Sequence, residues 1–318
     1  MSELDDIENL LDHLDGNFES AILEILHYFE EQDALNSIRG FLEEGQIEEI
    51  VQFTNEQTKN LIPIVIMAII LAGNQKAKIL NPKVQRWTDD KNAVVAFNPS
   101  NPRAAEIIQT RVNTLLSEIN SQQRLVIYDT INRMLAENAN SVKIAREISK
   151  VVGLTRTQEQ AVQNYRRLLE NGSKQALERS LRDRRFDGSV RAASEKPLSQ
   201  EQIERMVDGY RKRYVKLRAK TLAQTEAGRA MSEAQEEALR QTIQEFGIPQ
   251  DEVVRTWRTT MDGRQRDTHG ALNGTQSPLN GYFTTFAGNR LRFPRDPQAP
   301  ASEVINCRCS LTTDFKRG

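Results

Sequence analysis

Apolar residues return at three- and four-residue intervals through most of the first 246 positions, the period of helices with one buried stripe. In residues 1–60, Leu10/Leu11, Ile22, Leu23, Leu26 and Phe29 predict short helices whose other face carries acids. Leu61 to Gly73 then offers 13 apolar positions in a row. A membrane span needs about 18 or more, so the run predicts a helix buried on all sides. The alternative is a segment that meets a membrane only after the protein leaves its first environment. Residues 76–100, with Pro82, Pro99 and a strand-like Val94–Phe97, read as a connection.

A helical body follows. Asn101 can cap and Pro102 can take the first helical position, where its missing N–H costs nothing. Ile108, Val112, Leu115 and Ile119 mark one face, and Tyr128, Ile131 and Leu135 predict a second helix. Ser141 caps a third, stopped by Gly153. Thr157 and Gln160 propose a capping box for a fourth, ending at Asn171-Gly172, and Ser199 with Gln202 opens a long helix toward Phe246. Short turns between such helices imply antiparallel neighbours.

The character changes at Gly247. The last 72 residues hold seven of the 16 Gly, five of the 10 Pro and both Cys. Val253–Thr260 alternates as a strand, Thr285–Phe293 reads as a hairpin around Gly288-Asn289, and Val304–Thr312 alternates again. The expected fold is mainly α: a multi-helix bundle body with a small C-terminal α+β or β-rich module. The expected division is an acidic helical arm or module over 1–75 with an apolar helix at 61–73, a linker over 76–100, a body with a basic face over 101–246, and the C-terminal module over 247–318.

Charge sharpens this division. The net charge of −1 hides sixteen Asp/Glu against two Lys/Arg in residues 1–60, and sixteen Lys/Arg against eight Asp/Glu in residues 161–220. Such polarity suits partners of more than one electrostatic character. The acidic start lacks an apolar stretch and predicts no secretory signal. Cys307 and Cys309 are too close in sequence for an unstrained disulfide, so an oxidising compartment is not implied.

The module holds the densest candidate chemistry. Side chains two apart in a strand share a face, so Cys307 and Cys309 point together. With His269 they supply three ligands suited to Zn²⁺, and Asp262 or Asp267 could complete a tetrahedron. The plainer reading makes the two cysteines small buried apolar groups beside Ile305 and Leu311. A Cys307–His269 nucleophilic pair lacks a flanking glycine-rich elbow or evident orienting group, and no phosphate-cradling loop exists, so catalysis is not expected and no cofactor is required. Arg182, Arg184, Arg185, Arg211, Lys212 and Arg213 could face duplex phosphates or a partner. Aromatics are too few there for stacking on single-stranded bases. A solvated face pairing with acids on a neighbouring subunit explains them equally well.

These landmarks, in this order, resemble the Mu F type of minor head protein in tailed phages. The likeness runs from about residue 100 to the end. It includes Ile144-Ala145-Arg146-Glu147-Ile148 leading to Val152-Gly153-Leu154, and Arg185-Phe186-Asp187 leading to Pro197-Leu198-Ser199. Arg218-Ala219-Lys220-Thr221-Leu222-Ala223-Gln224-Thr225-Glu226 is similar to the family's Arg-Ala-x-x-Ile-Ala-Arg-Thr-Glu helix, with Gln224 in place of Arg. The most specific part pairs Trp257, Asp262, Arg264, Arg266 and His269 with Asn306-Cys307-Arg308-Cys309. The resemblance implies a structural virion protein made in the host cytoplasm and placed inside the capsid near the portal. It would assist head assembly, genome packaging or DNA delivery. Its implied partners are the portal protein and further copies of itself, with major capsid or scaffold protein and packaged double-stranded DNA as further contacts. An internal protein ejected with the genome, which alone would meet a membrane, is the first alternative. A metal-dependent enzyme is the second.

Overall fold

The chain in this computed structural model, which describes residues 3–261, 263 and 265–316, begins with α1 (Glu3–Tyr28), α2 (Gln32–Glu43), α3 (Ile47–Thr58) and α4 (Ile62–Thr88). It continues through α5 (Pro102–Ala136), α6 (Ser141–Val151), α7 (Arg156–Glu170), α8 (Asp187–Ala192) and the 47-residue α9 (Gln200–Phe246). The C-terminal part contains β1 (Val253–Arg258), α10 (Asp267–Gly270), β2 (Gln276–Pro278), β3 (Phe283–Thr284), β4 (Arg290–Leu291), α11 (Ala301–Val304) and β5 (Ser310–Phe315). The protein is mainly α with a small C-terminal antiparallel sheet module.

The helix starts follow local chemistry, with two shifts from expectation. Asn101 accepts the Arg103 amide at 3.0 Å and Pro102 opens α5. Ser199 and Gln202 form the reciprocal box at the head of α9. At α6 the cap is Asn140, which accepts from the Lys143 amide, while Ser141 is already helical. At α7 the box is Thr155 with Gln158, two residues ahead of the expected Thr157 and Gln160. Gly153, at φ +89°, ends the preceding segment in a conformation that side chains avoid. Two elements are longer than their patterns suggested. α1 is one 26-residue helix, and α5 runs 35 residues because nothing between Ile119 and Tyr128 breaks it.

The described residues among 1–21, 61–115 and 221–318 form one compact unit, and 22–60 with 116–220 form the other. In the first, α1 buries Ile7, Leu11, Leu14 and Phe18, which makes this acidic helix a core element. Within α4, Val65, Ala68, Ile69 and Ala72 are buried, but Ile62, Ile64, Ile66, Ile70 and Leu71 are half-buried and Met67 is 40% exposed. The apolar run is therefore buried along one stripe and not on all sides; thirteen apolar residues exceed what one packing face accepts. α4 also continues through Pro82, whose ring lies on the exposed side, and ends where Asp89 turns left-handed at φ +58°. Val94–Phe97 alternates in burial without joining a sheet. The Val95 amide goes to the Asn81 side chain, and the Phe97 ring covers Gly73, where an added Cβ would meet it at 2.3 Å.

The C-terminal module belongs to this unit. Its sheet has the order β2-β1-β5, antiparallel throughout, with Trp257 opposite Leu311. β3 and β4 form the expected hairpin around Gly288, at φ +83°. Arg255, 1% exposed, donates to the carbonyls of Pro278, Gly281 and Arg292 and so ties the end of β2, the turn after it and the exit of β4 to β1. A second buried guanidinium, Arg111 from α5, lies 2.9 Å from Glu233 and 3.6 Å from Glu226 of α9.

In the other unit, Val162, Tyr165, Leu169, Val190, Ile203, Met206, Val207 and Tyr210 share a core in which Tyr165 and Tyr210 stack with ring centres 4.3 Å apart. Arg211 ties this unit internally through Glu147 at 3.3 Å and Glu159 at 3.4 Å. Burial works to raise the Glu147 pKa, and Arg211, Lys150 and Arg133 together outweigh it, leaving this carboxyl below its usual range.

Candidate functional site: a buried histidine–cysteine cluster

The module's core brings together Trp257, Leu272, Phe283, Leu291, Cys307 and Cys309. His269 sits on α10, a single turn whose amides close onto the Arg266 and Asp267 carbonyls, and its ring meets Trp257 edge-on at 5.4 Å. Asn306 turns left-handed at φ +55° just after α11 and delivers Cys307 inward. The chain is extended from there into β5, so Arg308 points away and Cys309 returns to the same side. The turn leaves Ile305 40% exposed, and it does not share the cysteine face as expected.

The geometry converges on one atom. His269 Nδ1 lies 3.5 Å from Cys307 Sγ and 3.6 Å from Cys309 Sγ. All three residues are 4% exposed or less, and both thiols are free. On the far side of the ring, His269 Nε2 is 3.0 Å from Glu303 Oε2, within ion-pairing distance though its N–H is not aligned for a hydrogen bond. A carboxylate there favours the proton on Nε2 and leaves the Nδ1 lone pair toward the sulfurs. Glu303 is itself held by Asn289 at 2.8 Å and Thr268 at 3.2 Å. Burial pushes this carboxyl up, and Asn289, His269 and Thr268 together hold it below its usual range.

The two thiols are not equivalent. Hydrogen bonding from Cys309 holds Cys307 well below the ordinary thiol range despite burial, with His269 adding to the effect. The same interaction, then burial, pushes Cys309 up. Arg295 supports the cluster from behind, donating from Nη1 to the Cys307 carbonyl at 2.6 Å and from Nη2 to Ser232 Oγ at 3.0 Å. Thr259 donates to the His269 carbonyl at 2.7 Å. Arg266 donates to the Ile305 carbonyl.

The structure therefore gathers His269, Cys307 and Cys309 into one group, and among the described residues no other His, Cys, Asp or Glu joins it. Asp267 is exposed and outside it. Asp262 and Arg264 lie outside the described residues. Glu303, Thr259 and Arg295 carry no signal in the sequence, and Asn289 reads there only as a turn residue. Only the shape of the fold puts them here, and the spacing of Glu303 four residues before Cys307 is too common to mark it. A Cys–His–carboxylate line can also describe a nucleophile, but a nucleophile needs one accessible thiolate. Here two sulfurs share one nitrogen inside a closed core.

The basic residues divide. Arg211 is 3% exposed and committed to its internal carboxylates, so it leaves the outward-facing set. Arg182 is held bidentate by Asp187 at 2.9 Å, and Arg185 and Arg213 both reach Asp183, at 2.7 and 3.0 Å. Arg184 and Lys212 are exposed.

Residues 160–312 match the family model described as Phage Mu protein F like protein, and this stretch is a Mu F-like domain. No curated protein and no solved structure matches the chain at a significant level. That family is a phage head-morphogenesis family, generally structural in role.

Proposed function

We propose that this protein is a non-enzymatic minor head protein, held inside the capsid beside the portal, that assists head assembly and genome packaging or delivery. The observation that carries the reading is the Mu F-like domain over residues 160–312. Closure of the one Cys–His–carboxylate group favours a structural role over a catalytic one. The exposed Arg184 and Lys212, with Arg185 at the same loop, suit non-specific contact with phosphates of packaged duplex DNA. Acids on the outer face of α1 suit a basic patch on the portal, on another copy of this chain, or on capsid or scaffold protein. Locating the protein in intact particles tests the proposal: a particle map, or antibody labelling, should show it at a single vertex. Normal, infectious particles assembled without it, or label spread over the whole shell, would overturn it.

The half-exposed apolar flank of α4 favours a second reading, an internal protein ejected with the genome. Among the described residues, Ile47–Thr88 is the one helical stretch long and apolar enough to cross a membrane. Fractionation of infected cells separates the two, since a resident head protein stays with the emptied capsid and an ejected one enters the host envelope fraction.

A further inference from the structure

We propose that His269 Nδ1, Cys307 Sγ and Cys309 Sγ are three ligands of a tetrahedral structural Zn²⁺ that staples the C-terminal module. The first ground is distance. With Zn–S near 2.3 Å and Zn–N near 2.0–2.1 Å, a tetrahedral angle separates a sulfur from a nitrogen ligand by about 3.6 Å. The two separations here are 3.5 and 3.6 Å, and the three ligand atoms all lie within 4.8 Å of one another. Apolar packing alone does not require both sulfurs to aim at one imidazole nitrogen.

The second ground lies behind the ligands. Glu303 sits at the far nitrogen of His269, the arrangement that fixes tautomer and ring direction in metal-bound imidazoles. Glu303 is in turn fixed by Asn289 and Thr268, and the Cys307 backbone by Arg295. Three residues from separate segments, α10 and the approach to β5, are thus oriented by a built shell. Two thiolates with one imidazole match the softness of zinc. The module's own apolar core is small, which is the circumstance in which a metal adds most to a fold. No other described His, Cys, Asp or Glu reaches the group, which leaves the fourth position to water or to an atom outside it. None of this depends on where the protein sits in the particle.

The test uses the full chain, purified without chelator, with metal content measured directly and affinity set by competition with a chromophoric chelator. About one zinc per chain is expected. Co²⁺ in its place should give the strong visible bands of a tetrahedral site and thiolate charge-transfer absorption in the near ultraviolet. Cys307 and Cys309 should resist alkylation until the metal is removed. Glu303→Gln should weaken affinity by about 10–100-fold with the far-ultraviolet spectrum unchanged, and Asp267→Asn should leave affinity as it was. Cys307→Ser and His269→Gln should lose the metal; since these variants could also unfold, the unaltered chain is the deciding sample. A folded unaltered chain that carries no zinc and takes up neither Zn²⁺ nor Co²⁺ at micromolar concentration overturns the proposal. So does zinc uptake that survives Cys307→Ser combined with Cys309→Ser.

Discussion

Replacing Gly228 by alanine should destabilise the protein, although glycine to alanine inside a helix normally does the opposite. Gly228 lies within α9, where alanine is favoured by about 1 kcal/mol. A Cβ at this position would stand 2.5 Å from Cδ of Arg295, 2.6 Å from its Nε and 2.9 Å from its Cζ. Carbon atoms settle at about 3.5–4.0 Å, so the guanidinium must move by about 1 Å. It has little room to do so. Arg295 is fully buried, holds φ at +63°, and donates to the Cys307 carbonyl and Ser232 Oγ. Hydrogen bonds from a charged group contribute about 1.5–3 kcal/mol each. Losing both and subtracting the helix gain leaves a net destabilisation of about 2–5 kcal/mol. Gly16→Ala is the internal comparison: it lies inside α1 in the same unit, nothing lies within 4 Å of its Cβ, and it should stabilise by about 0.5–1 kcal/mol. Urea unfolding followed by tryptophan fluorescence is the assay, because both tryptophans, Trp87 and Trp257, lie in the unit that contains Gly228. A Gly228→Ala midpoint equal to or above that of the parent would refute the packing argument.

Other substitutions test other parts of the first unit. Arg111→Met takes the cation from half-buried Glu233 and leaves buried Glu226 with Arg229 alone, at a cost of about 3 kcal/mol; adding Glu233→Leu should recover much of the loss in the same unfolding assay. Gly73→Ala drives a methyl into the Phe97 ring and should cost about 1–3 kcal/mol, partly relieved by Phe97→Leu. Burial lowers the Lys76 pKa to about 8 from 10.5, while Glu3 opposes the shift. Between these values the unfolded chain holds more protons than the native one, so stability should rise with pH across that window and be lost again as pH falls through 8. The full effect is roughly 3 kcal/mol. Lys76→Met should flatten the difference, and a parent whose stability falls from pH 8 to pH 10 while the variant's does not would show the sign to be wrong.

Much of the fold was legible because it is local. The Asn101-Pro102 start of α5, the Ser199–Gln202 box of α9 and the hairpin at Gly288 each need only a few adjacent residues, whose backbone preferences and hydrogen bonds are set by their own side chains. Where the pattern misled, a competing local or packing choice won. Asn140 capped before Ser141 could, and Thr155 reached its glutamine partner before Thr157. At Val94–Phe97 the alternation of a strand was present, but Asn81 and Gly73 took the partners that a strand would have needed.

By itself, the sequence determined the helical period, the change of character at Gly247, and which three side chains have the chemistry to bind a soft cation. It could not determine that residues 3–21 and 61–115 share a unit with 221–316, since that depends on which buried stripes meet. Nor could it reveal that Arg211 turns inward, or that Glu303 and Arg295 stand behind His269 and Cys307. Periodicity and spacing are properties of neighbours along the chain. Burial of a charge, and the carboxylate that orients a ligand, are properties of neighbours in space, and only the packed structure brings those together.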